Sequence, residues 1–170
     1  MSTGVDATTA WRILGSVMDP EVPVVSIVEL GIVRDVGVDD DDGVRVTITP
    51  TYSGCPAMDA IADDIRAGFA REGHRAHVAT VLAPAWTTDW MAPEAKARLA
   101  AFGIAPPGAA PSTRIDVRGI SPLRASRAAI ACPRCGATAT TLVAQFGSTA
   151  CKALYRCDAC REPFDYFKPH

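Results

Sequence analysis

Two Cys-x-x-Cys pairs, Cys132-Pro133-Arg134-Cys135 and Cys157-Asp158-Ala159-Cys160, constrain residues 131–170 more than any other feature of this chain. Each pair places two thiolates on one tight turn, where both can reach the same ion. Two such turns supply the four soft ligands of a tetrahedral site. Gly136, directly after the first pair, lets the backbone turn beneath the metal. Cys132, Cys135, Cys157 and Cys160 are therefore expected to bind zinc in a four-cysteine, zinc-ribbon-like module. Disulfides are the competing reading, and a cytoplasmic chain would keep its thiols reduced.

A small metal module does not need 170 residues, so the rest of the chain must hold a domain of its own. Charge divides in the same way. Residues 1–103 hold 8 Lys/Arg against 15 Asp/Glu, a balance of −7; residues 104–170 hold 9 against 4, a balance of +5. Such asymmetry suggests two modules with different surfaces. The opening MSTGVDATTAWRIL lacks a basic segment followed by an apolar one, and no apolar run is long enough to cross a bilayer. A soluble, cytoplasmic protein without membrane partners is expected.

Hydrophobic spacing predicts a helix over residues 7–18, N-capped by Asp6. Asp19-Pro20 ends it, because a residue before proline avoids the α region. Ser26 and Glu29 have capping-box spacing for one short turn, closed by Gly31. Strands are expected at 32–38, 44–49 and 76–82, with helices at 56–72 and 93–102. The aspartates at 39–42 read as a solvated hairpin tip; they lack the spacing and terminal Glu of a calcium loop. His74 and His77 would point to opposite faces of a strand, a poor chelate. The fold class is thus α+β: residues 1–104 forming a three-stranded sheet with helices, a Pro/Gly/Ala-rich linker over 105–130, and the metal module over 131–170.

Further chemistry lies outside the ribbon. Cys55, in Thr51-Tyr52-Ser53-Gly54-Cys55-Pro56, should sit at a helix N-terminus, where free amides favour a thiolate. Asp59, Asp63 and Asp64 work against that, and the sequence leaves the balance open. Asp19 and Glu21 supply two carboxylates on a proline-stiffened loop. If that loop lies beside Cys55, the mixed set could bind iron weakly and reversibly. Trp86 and Trp90 flank a polar turn; they would either anchor the following helix or offer a partner a docking surface. Cys151, between the two knuckles, reads as a buried spacer, an alternative ligand or a transfer thiol.

The segments DPEVP, SIVELGIV, TPTYSGCPA and LAPAWTTDWM resemble the iron–sulfur cluster assembly domain family over residues 10–107. Joined to FGSTACKALYRCDACREPFDYFKPH, they are similar to the D-subunit family of bacterial phenylacetyl-CoA epoxidases. The resemblance implies that Cys55 is the family's reactive cysteine and that Asp19 and Glu21 form its acidic loop. It implies an accessory role without catalysis in phenylacetate degradation: helping assemble or insert iron or iron–sulfur centres, carried transiently as iron or a cluster. The expected partners are subunits of the epoxidase, especially the iron–sulfur flavin reductase or the di-iron oxygenase subunit. Three other readings stay open. One is a structural docking subunit. Another is a rubredoxin-like electron carrier, against which the second knuckle lacks matching Pro and Gly. The last is a nucleic-acid-binding ribbon, against which few aromatics lie among the basic residues; no nucleic-acid partner is expected.

Overall fold

A computed structural model describes residues 5–38, 43–108 and 129–170. The hairpin tip at 39–42 and most of the expected linker, 109–128, lie outside the described residues. Helix α1 spans Ala7–Gly15, and the Asp6 side chain accepts from the Thr9 amide as its N-cap. The capping box at the next turn is present in full. The Ser26 amide and hydroxyl both donate to Glu29 Oε2, at 3.0 and 2.8 Å, and the Glu29 amide donates back to Ser26 Oγ at 3.2 Å. Gly31 closes this turn with φ +71°, a conformation that costs a side chain-bearing residue steric strain.

Strands β1 (Val33–Val38) and β2 (Gly43–Ile48) pair antiparallel. Helix α2 (Ala57–Arg71) then crosses over, so that β3 (Arg75–Thr80) pairs parallel to β2. The sheet order is β1-β2-β3. Val44, Val46 and Ile48 alternate inward from β2 and are fully buried in one core with Ile61, Ile65 and Phe69 of α2. Ile13 and Leu14 of α1 join the same core. Helix α3 (Pro93–Phe102) begins with proline at its first turn and ends at Gly103 in the left-handed conformation.

The second sheet begins within the first module's sequence. Strand β4, Ile104–Ala105, pairs parallel with β7 (Pro163–Phe167) and stands at one edge of the order β4-β7-β6-β5. Strands β5 (Thr140–Ala144) and β6 (Lys152–Cys157) complete it in antiparallel fashion. Ala105, read from sequence as the first linker residue, is instead buried and paired with Tyr166. Between Gly103 and Pro106-Pro107, two apolar residues give no periodicity from which a strand can be read.

The ribbon sheet also lends side chains to the first core. Phe167 and Cys151 are buried in the cluster of Ile13, Ile61 and Trp86 rather than in the ribbon's own cluster of Ala105, Ala153, Tyr155 and Phe164. Trp86 and Phe167 meet at a tilt, ring centroids 6.0 Å apart. The His170 carbonyl accepts from the Thr88 amide at 3.2 Å and from Thr87 Oγ1 at 2.9 Å. The end of the ribbon is thereby held against the turn that precedes α3.

Candidate metal centres

The four paired cysteines converge. Cys132 Sγ lies 3.8 Å from Cys160 Sγ, Cys135 Sγ lies 3.5 Å from Cys157 Sγ, and all four sulfurs fall within 4.8 Å of one another. Four thiolates about 2.3 Å from one ion would stand about 3.8 Å apart, so the donor set fits a tetrahedral divalent metal. The backbone builds each knuckle alike. The residue after the second cysteine is left-handed in both, Gly136 at φ +74° and Arg161 at φ +67°. The second knuckle lacks glycine at this position and takes the same conformation at some cost in strain. The Cys160 amide donates to Cys157 Sγ at 3.5 Å and draws that thiol down to about 7. The Glu162 amide pulls Cys160 the same way, yet desolvation and the neighbouring sulfurs outweigh it and push Cys160 up to about 12. Four crowded thiols cannot all ionise unaided; a cation resolves the conflict.

A second group forms around a cavity of about 10 Å³, room for a single water-sized occupant. Asp19, Glu21, Cys55 and Cys151 all line it. Asp19 is buried, and its Oδ1 accepts the Glu21 and Val22 amides, each at 2.8 Å. Those bonds tie the loop of Asp19, Pro20 and Glu21 into a tight turn that brings both carboxylates to one place. Cys55 precedes α2, which starts at Ala57 behind Pro56.

Electrostatics in this cavity oppose anions. Burial raises the Asp19 pKa against the pull of the Glu21 and Val22 amides, and raises that of Glu21 with Asp19 adding repulsion. Cys55 is pushed up to about 11, by burial first, against the Ala57 amide; Glu21, Asp19 and Cys151 push it further. The helix terminus therefore loses to desolvation and nearby carboxylates. The opposing acids are Asp19 and Glu21, from a distant loop, rather than Asp59, Asp63 and Asp64 on the helix itself. Burial also raises Cys151. The positive charge of Lys152, itself buried with its Nζ 3.8 Å from Asp165, works against these rises at Asp19, Glu21 and Cys151. Among the described residues, the ribbon quartet alone is gathered tightly enough to hold an ion as it stands.

Sequence reasoning leaves Cys151 open and does not single out Thr149 or Lys152. A lone thiol in a loop carries no sign of a partner that is distant along the chain. Only Cys151-Lys152, a thiol beside a cation within the ribbon, hints at chemistry. Trp86 corrects the docking expectation. It is only 5% exposed, and its Nε1 donates to the Leu30 carbonyl at 3.0 Å, so it is an internal anchor and not a surface for a partner. Trp90 is half-buried beneath the Arg34 guanidinium, 3.4 Å from its ring centroid.

Comparison with known proteins follows this division. Residues 8–81 match the family described as iron–sulfur cluster assembly protein, and residues 119–168 match the PaaD zinc beta ribbon domain. An Escherichia coli (strain K12) protein, named as the D subunit of a "Putative 1,2-phenylacetyl-CoA epoxidase", is 47% identical over 159 residues, 93% of this chain and 90% of that protein. The "Fe-S protein maturation auxiliary factor YitW" of Bacillus subtilis (strain 168) is 40% identical over 88 residues, 51% of this chain and 85% of its own. The solved domain of unknown function DUF59 from Bacillus anthracis superposes with a TM-score of 0.51 at 32% identity, over 54% of this chain and 89% of that one. With both modules accounted for along most of its length, the chain belongs to the family of phenylacetyl-CoA epoxidase D subunits.

Proposed function

We propose that this protein is a non-catalytic maturation factor that holds iron or an iron–sulfur unit and passes it to phenylacetyl-CoA epoxidase. The observation that carries this reading is the convergence of Asp19, Glu21 and Cys55 on one small cavity. Thiol and carboxylate donors together suit iron held reversibly, in contrast to the closed quartet of the ribbon. Both carboxyls and the thiol are held toward their protonated forms by burial, to which Asp19 adds repulsion at Glu21, and both carboxylates add it at Cys55. An entering cation displaces those protons and relieves the repulsion, so binding is favourable yet pH-dependent and easily reversed.

In the ribbon, Cys132, Cys135, Cys157 and Cys160 hold zinc, which supplies structural cross-linking and no redox chemistry. The likeness to auxiliary factors named for Fe-S protein maturation supports the accessory role. The recipient is the iron–sulfur flavin reductase or the di-iron oxygenase subunit, and the exchange takes place in the cytoplasm. Among the described residues no helix is long and apolar enough to cross a membrane.

The test is complementation. A strain producing Cys55→Ala in place of the wild-type chain should accumulate epoxidase lacking iron and activity, while the variant keeps its ribbon zinc. Full epoxidase activity in that strain would refute the transfer role.

A further inference from the structure

The ribbon does more than sit beside the assembly domain. Cys151 belongs to the ribbon by sequence but is 3% exposed within the first module's core. Its sulfur lies 3.9 Å from Glu21 Oε2 and 3.0 Å from Thr149 Oγ1. It lines the same cavity as Cys55 and Asp19. The backbone around it is fixed: the Lys168 amide donates to the Cys151 carbonyl at 2.9 Å, and the Lys152 amide to the Thr149 carbonyl at 3.1 Å. Cys151 packs in an apolar cluster, as an inert thiol would, yet its sulfur also meets Glu21 and Thr149, and Asp19 lines the same cavity.

We infer that Cys151 is a second thiolate ligand for the cargo, so that the labile site is shared between modules: Cys55 from one, Cys151 from the other, with Glu21 and Asp19 supplying oxygen donors. The inference rests on the reading of Cys55 as the cargo cysteine. It gives the ribbon a direct part in binding, since β6 and β7 set the position of Cys151. When a ferrous ion enters, each thiol forms one Fe–S bond and releases one proton to solvent; no electron is transferred. A two-thiolate, two-carboxylate set is softer than carboxylates alone and weaker than the ribbon quartet, which suits a site that must release its metal.

Anaerobic titration of the full-length, zinc-loaded chain with Co²⁺ tests this, because sulfur-to-cobalt charge transfer reports thiolate ligands directly. The double variant Cys55→Ala/Cys151→Ala sets the background from exchange at the ribbon. Wild type should exceed that background, and Cys55→Ala and Cys151→Ala should each remove about half of the excess and weaken Co²⁺ binding at least about tenfold. Cys151→Ser, which keeps a polar group but removes the soft sulfur donor, should behave as Cys151→Ala does, with one zinc retained per chain. If both Cys151 variants keep the full band and affinity while Cys55→Ala loses them, Cys151 is no ligand and the role of Cys55 stands. A band that survives Cys55→Ala intact, or a wild type no different from the double variant, overturns both readings.

Discussion

Cys151 Sγ approaches Glu21 Oε2 to 3.9 Å although 130 residues separate the two along the chain. The contact accompanies the burial of Phe167 and Cys151 in the first module's core. Phe167, at the end of β7, is buried against Trp86 and carries the adjoining strand β6 with it. A metal module could fold by itself around its own ion. Here its sheet is also stitched to β4, and its aromatic end completes a core that is not its own.

Phe167→Ala removes this keystone. Truncating a fully buried phenylalanine costs about 3–5 kcal/mol through lost burial and the cavity left behind. The ribbon's separate cluster around Tyr155 and Phe164 is untouched, so its metal should remain. The expected result is a lowered denaturant midpoint with zinc content unchanged. A midpoint equal to wild type would show that the two modules do not share a core.

Loss of one ribbon ligand should act in the opposite pattern. Cys157→Ser leaves three sulfurs and forfeits most of a binding free energy of roughly 10–16 kcal/mol for structural zinc. Strands β5 to β7 should lose protection in hydrogen exchange, and Cys151 should leave the cavity with them. Retention of one zinc per chain at wild-type affinity would contradict the four-ligand assignment.

Cys55 should respond to pH later than an ordinary thiol. Its pKa is raised from 9.0 to about 11, chiefly by burial, so alkylation by iodoacetamide at neutral pH should be slow and should keep accelerating up to about pH 11. Stability follows the same sign. A folded-state value above the unfolded one leaves the contribution intact below about pH 9 and removes it as pH rises through about 11. Cys55→Ala should therefore lose less stability over that interval than wild type. Rapid alkylation that levels off below about pH 9 would show that the helix terminus dominates after all.

Two glycines should separate conformational need from accident. Gly31 has φ +71°, and a Cβ there would lie 2.7 Å from both the Cβ and the carbonyl oxygen of Trp90. Gly31→Ala should cost at least about 2 kcal/mol, combining left-handed strain with a backbone clash. Gly15 ends α1 with nothing within 4 Å of where a methyl group would stand, and Gly15→Ala should stabilise by about 0.5–1 kcal/mol. Thermal denaturation of both variants distinguishes them; equal shifts would contradict the geometry.

Local signals make most of the fold legible. The capping box of Ser26 and Glu29, proline opening α3, the alternation of β2 and the helical face of Ile61, Ile65 and Phe69 are each encoded within a few residues. The four ribbon ligands are equally plain, because two paired thiols per turn have few other uses. What stays hidden depends on contacts distant in sequence. Ala105 becomes a strand only because Tyr166 is beside it. Trp86 is buried only because Phe167 and the Leu30 carbonyl meet it. The direction of the Cys55 shift follows only once Asp19 and Glu21, and not the aspartates of its own helix, are its neighbours. Cys151 is ambiguous in sequence for the same reason.

On the proposed reading, two different metal sites, one closed and one labile, occupy one chain. Metal and acid-labile sulfide content after anaerobic purification, for wild type and Cys55→Ala, tests it most directly. The expected result is one zinc in both proteins and iron, with or without sulfide, in wild type alone. One zinc and no iron in either protein, purified from iron-replete cells, would contradict it.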